Sequence, residues 1–131
     1  MADLLLVDDD LDLAETLAEF LVLDGHEVRV ANNGREGLAL LAERIPDLIL
    51  LDVDMPVLSG PAMALEMFLH NAGLEQVPIL LLSGAANLKE VARRVGTPYL
   101  LGKPAPPEVL LKALDHALLE RAPPRRPDPS S

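Results

Sequence analysis

Residues 47–60 read DLILLDVDMPVLSG, and the fold is decided there. The stretch opens on four consecutive large aliphatics, Leu48, Ile49, Leu50 and Leu51, and halts on a carboxylate, Asp52. An unbroken run of this kind suits a strand buried on both faces, as in a parallel sheet covered by helices; a half-exposed strand would alternate. Asp54, Pro56, Ser59 and Gly60 follow, turn residues that the middle of a strand does not tolerate. Open α/β sheets bind their ligands outside the carboxyl ends of the strands. Asp52 is therefore read as the residue the fold exists to present.

Four further runs read as strands, three of them apolar throughout and one, residues 28–31, broken by Arg29. Residues 4–7 are stopped by Asp8, Asp9 and Asp10; residues 28–31 form a second run. Pro78 precedes residues 79–82, which end on Ser83 and Gly84, and residues 99–101 are followed by Lys103 and Pro104. Between these runs the spacing turns helical. Leu13, Leu17, Phe20 and Leu21 mark a first helix, with Asp10 as its cap, Asp12 in its first turn and Gly25 as its stop. Asn33 with Glu36 reads as a capping box, Leu38, Leu41 and Ala42 as the apolar face of that helix, and Pro46 as its end. Pro61 suits the start of a helix over 62–71 with Leu65, Phe68 and Leu69 inward. Leu88, Val91, Ala92 and Val95 predict a short helix stopped at Gly96, and Leu110, Leu114 and Ala117, flanked by Leu111 and Leu118, the last one. Strands alternating with helices predict a doubly wound α/β fold, a five-stranded parallel sheet with five helices on its two faces. Right-handed crossovers leave few topologies, of which the flavodoxin-like order 2-1-3-4-5 is the commonest. Residues 1–121 are expected to form one domain, and 122–131, rich in Pro and Arg, a disordered tail or linker.

Composition narrows the function. The 131 residues are enough for one domain with a sizeable core. Eleven basic against 21 acidic residues give a formal charge of −10, which opposes binding to nucleic acid or an anionic membrane. The only aromatics are Phe20, Phe68 and Tyr99, too few for a base-stacking platform. With no cysteine there is no disulfide, thiolate metal site or cysteine nucleophile. The opening MADLLLVDDD brings acids after too short an apolar run for a signal peptide or a span, and a cytoplasmic protein is expected.

In the order 2-1-3-4-5 the ends of strands 1, 3, 4 and 5 are neighbours, and they carry Asp8 and Asp9, Asp52, Ser83 and Lys103. Three carboxylates gathered in one crevice repel one another unless a cation joins them. Mg²⁺ answers that need, taking one or two carboxylates and phosphate oxygens while keeping several waters. Lys103 adds a point charge for a phosphate oxygen, Ser83 a hydroxyl donor, and Gly84 room for an incoming group. The group that fits all of these is a phosphoryl on Asp52, a carboxylate being a known nucleophile for covalent phosphate chemistry.

VDDD, LLDVDMPVLSG, LLLSG and LLGKP, in this order and at these spacings, resemble the receiver domain of two-component response regulators. The likeness covers roughly residues 3–120. That family has the 2-1-3-4-5 sheet, so topology and resemblance are one expectation rather than two. The resemblance implies that Asp52 accepts a phosphoryl group from a histidine kinase or phosphotransfer protein. It further implies that Asp8, Asp9 and Asp52 bind Mg²⁺ together with the backbone carbonyl of Asp54. Ser83 would follow the phosphoryl group and Lys103 would bridge to it, and a conformational change would reach a downstream protein target. Such a switch gains and loses its own phosphoryl group and turns over no outside substrate. In two places the chain departs from the family. Leu100 stands where an aromatic is usual, with Tyr99 one residue early and so on the other face of its strand. Pro98 and Tyr99 replace the usual acidic pair, and the span from Ser83 to Lys103 is a couple of residues short. Tyr99 is accordingly expected to be a bystander, and the chain a monomer.

Each residue also has a plainer reading. Asp8 and Asp9 alone would be solvated strand-end acids about half the time; with Asp52 and Lys103 in register they are not. Ser83 alone would be a turn residue and Lys103 a loop lysine. His26, His70 and His116 have no ligand spacing and are read as surface residues, and Met55, Met63 and Met67 as filler. Two other functions compete. Asp52 and Asp54 echo the DxD of haloacid-dehalogenase-type phosphatases, but that reading leaves Asp8 and Asp9 without a purpose. A receiver-like interaction module that ignores phosphate is the other, favoured by Leu100 and opposed by the intact acidic residues.

Overall fold

Strand formation follows the apolar runs, and burial explains their composition. The computed structural model describes residues 2–52, 76–83, 90, 93, 97–102 and 105–121. Along them lie β1 (Asp3–Val7), α1 (Leu11–Leu23), β2 (Glu27–Ala31), α2 (Gly34–Glu43), β3 (Leu48–Asp52), β4 (Ile79–Ser83), β5 (Tyr99–Gly102) and α3 (Pro107–Glu120). The strands form one parallel sheet in the order β2-β1-β3-β4-β5. The helix expected over 62–71, most of the one expected around Leu88 to Val95, and the tail 122–131 lie outside the described residues.

The alternation of side chains across the sheet divides the core in two. Leu5, Val7, Ile49, Leu51, Ile79 and Leu81 face one side, where Leu41 of α2 covers them. Leu4, Leu6, Leu48, Leu50, Leu80 and Leu82 face the other, under α1 and α3, which contribute Ala14, Leu21, Leu110, Leu114 and Ala117. Every residue of β3 is buried because it has neighbours on both faces and both edges.

Local signals end the helices where they were read. Asp10 caps α1, its carboxylate accepting from the Leu13 amide at 3.1 Å, and Gly25 beyond the helix takes φ +96°. Asn33 caps α2 by accepting from the Glu36 amide at 2.8 Å. Two expectations are corrected. Ala42 is exposed, and Leu40 takes its place beside Leu41 and the expected Leu38, because the helix is rotated so that position 42 points outward. His26 is not on the surface. Its side chain is only 7% exposed, its Nδ1 accepts from the Ala2 amide at 3.1 Å, and its Nε2 lies 3.3 Å from Asp24. The Ala2 amide, one residue before β1, needs an acceptor at that end of the sheet, and the turn after α1 supplies this imidazole. His116 is exposed as expected, and His70 lies outside the described residues.

Candidate functional site

Parallel register brings the acids together. Val7 pairs with Leu51, so Asp8 and Asp52 are the next residues along their neighbouring strands. Both continue the alternation of the α1 and α3 face, Asp8 after Leu4 and Leu6, and Asp52 after Leu48 and Leu50. Asp8 is fully buried and Asp52 is 7% exposed, a placement that carboxylates avoid unless something compensates the charge. Asp8 is held from two sides. Its amide donates to the Ala31 carbonyl at 3.0 Å, extending the β1–β2 ladder, and its Oδ1 accepts from the Asp10 amide, also at 3.0 Å. The second bond is a two-residue side-chain turn that bends the chain from β1 into α1 and leaves Asp9 exposed at the rim. The three acids in a row thus divide their work: Asp8 shapes the site, Asp9 projects beside it, and Asp10 caps the helix.

Asp8, Asp9 and Asp52 each bring one carboxylate oxygen within 4.8 Å of the others. Oxygens on opposite sides of an octahedral Mg²⁺ stand about 4.2 Å apart, twice the usual bond of about 2.1 Å. Only one pair of the three can stand opposite, the others meeting at about 3 Å, so the carboxylates would draw closer round an ion, and their hard, oxygen-only donor set fits a divalent cation of the Mg²⁺ class. Asp54, expected to lend a carbonyl, lies outside the described residues.

The other two expected residues belong to the neighbouring strand ends. Asp52 pairs with Leu82, so Ser83 follows one residue, about 3.3 Å, above the level of Asp52. Ser83 pairs in turn with Gly102, the last residue of β5. Lys103 comes next in sequence and lies outside the described residues. Asp8 and Asp52 thus stand level at the ends of β1 and β3, and the serine position lies one residue higher on β4.

Comparison with known proteins agrees with this geometry. The response regulator receiver domain family matches residues 4–115, most of the chain. The chain is a response regulator receiver domain. The chemotaxis protein CheY4 of Vibrio cholerae has the same fold, with a TM-score of 0.80 and 34% identity over 88% of this chain and 98% of that one. Protein PilH of Pseudomonas aeruginosa is 32% identical over 90% of this chain and 98% of its own. The transcriptional regulatory protein CpxR homolog of Haemophilus influenzae is 43% identical over 63% of this chain. The receiver domain spans 34% of that protein's length, and 44% and 52% of two other curated regulators it matches. As a receiver domain it works by His-to-Asp signalling. Domains of this family are switches that gain and lose their own phosphoryl group rather than acting on an outside substrate. This removes the phosphatase reading of Asp52 and Asp54. Among the described residues no helix is long and apolar enough to cross a membrane.

Proposed function

We propose that Asp52 is the phosphoacceptor and that Asp8 and Asp9 hold Mg²⁺ beside it, with the backbone carbonyl of Asp54 as a further ligand. The observation that carries this reading is the approach of the three carboxylate oxygens to within 4.8 Å, two of them on buried residues. In the transfer an Asp52 oxygen forms a bond to phosphorus as the bond to the donor breaks, and the bound cation would offset the charge gathered on the oxygens. Ser83 and Lys103 would then engage the new phosphoryl oxygens. Charge-assisted contacts contribute about 1.5–3 kcal/mol each, so two approach the ~5.5 kcal/mol that inverts a two-state population.

The donor is a histidine kinase or phosphotransfer protein, and the output a downstream protein target in the cytoplasm. The charge of −10 supports a protein target over nucleic acid or membrane. Residues 1–121 make up the domain and 122–131 a tail or linker. Leu100 favours the competing reading, a module that ignores phosphate.

Acetyl phosphate with Mg²⁺ separates the two. Intact mass measurement should show one phosphoryl group, acid-stable and base-labile, on the native protein. Asp52→Asn, near-isosteric at a strand end, should fold and take up none. Uptake by that variant would refute the assignment, and no uptake by the native chain would favour the phosphate-independent module.

A further inference from the structure

The edge strand β5 is tied to the end of α3 by a small polar cluster that the phosphoryl site does not use. Tyr99 is 5% exposed, and its ring lies in the core beneath α3 with Leu80, Leu110, Leu114 and Ala117. Its hydroxyl donates to Glu120 Oε1 at 2.8 Å, and its ring meets His116 edge-on with centroids 5.9 Å apart. The turn carrying Glu120 is itself held. Arg121 adopts a left-handed conformation with φ 52°, its amide donates to the Ala117 carbonyl at 2.8 Å, and its guanidinium lies 3.5 Å from Asp47 before β3.

Register sets what this cluster can do. Tyr99 pairs with Leu80 and Leu100 with Leu81, so the two residues point to opposite faces of the sheet. Leu100, 36% exposed, shares the face of Leu81 and Ile79, whereas Tyr99 shares that of Leu80 and Leu82. Carrying the Tyr99 ring to the opposite face requires a one-residue slip of β5, which would invert every other side chain of the strand. It would also break a hydrogen bond to a carboxylate and empty a filled core position.

We infer that Tyr99, Glu120 and His116 form a latch that joins β5 and α3 into one rigid unit, and that this latch stays closed while the site is charged. The inference rests on the proposed phosphorylation of Asp52 only for its second half. A change of state then reaches the surface by elements other than the β5–α3 junction, because moving Tyr99 would break its bond to Glu120 and empty a filled core position. The device is a fixed strut where a moving part could have stood.

Tyr99 is the single tyrosine and there is no tryptophan, so tyrosine fluorescence reports on this residue alone. A phenol hydrogen-bonded to a carboxylate is quenched, and Glu120→Gln should therefore brighten the emission. Glu120→Gln and Tyr99→Phe should each raise the unfolding equilibrium constant about three- to tenfold, and speed amide exchange at 117–121. Adding beryllofluoride and Mg²⁺ to the native protein should leave the tyrosine emission unchanged, with ¹⁹F resonances of the bound fluoride showing that the site is filled. Emission that rises on filling as far as it does in Glu120→Gln would overturn the closed latch. Unchanged emission and exchange in Glu120→Gln would overturn the latch altogether. If no bound fluoride is seen, the phosphoacceptor reading fails, and the latch stands or falls on the two variants.

Discussion

Asp9 is the exposed member of the acidic trio, and that position lets it be removed without opening the core. Asp8 is different, since its carboxylate also holds the bend into α1 through the Asp10 amide. Asp9→Ala therefore isolates the cation from the fold. Mg²⁺ should stabilise the native protein, because the proposed site exists only where folding brings the three carboxylates together. At ten times its dissociation constant the gain is about 1.4 kcal/mol, roughly 4–8 °C in melting temperature for a domain of this size. The variant should lose most of that response while its melting temperature without Mg²⁺ stays level or rises, since a repelling charge has gone. Native melts that ignore millimolar Mg²⁺ would count against the cluster.

At the scale of elements, the ends of the helices are secured in different ways. The amino ends of α1 and α2 use their own caps, Asp10 and Asn33. The carboxyl end of α2 depends on a strand instead. Arg29 of β2 donates from Nη1 to the Leu40 carbonyl at 2.9 Å and from Nη2 to the Arg44 carbonyl at 2.8 Å. The guanidinium shares the Leu40 carbonyl, which already accepts from the Arg44 amide at 3.2 Å, satisfies the Arg44 carbonyl and complements the helix dipole. Asp3 sits beside it, 3.7 Å from Arg29 and 2.7 Å from Arg44, so β1, β2 and the end of α2 share one charged junction. Arg29→Met keeps much of the aliphatic stem and removes the donors. It should cost about 1–3 kcal/mol in chemical denaturation. Amide exchange should quicken at 40–44 first, and an unchanged denaturation midpoint would show that water replaces the guanidinium at no cost.

At the scale of the whole molecule, β5 is an edge of the sheet and Leu100 stands exposed on it. The strand has four residues and begins after Pro98, which limits what another chain could pair with. With Pro98 and Tyr99 where the family usually has an acidic pair, the domain is expected to sediment as a monomer before and after phosphorylation. A dimer that appears only with phosphate and is lost on changing Leu100→Lys would refute this. Much of the architecture was legible along the chain. Aliphatic runs ending on Asp8, Asp52 and Ser83 marked buried parallel strands because only strands covered on both faces can be apolar throughout. The caps Asp10 and Asn33 could be read because a cap and the amide it serves lie within one turn. The clustered acids could be picked out because Asp8 and Asp52 each end an aliphatic run and Asp9 follows Asp8. Only the tertiary structure decided what depends on register and reach between distant segments. It set Asp8 level with Asp52, carried Arg29 to the end of α2, buried His26 against the Ala2 amide and joined Tyr99 to Glu120. Periodicity reports which face a residue takes within its own element; it carries no information on what waits across the gap, and that is where these four contacts are made.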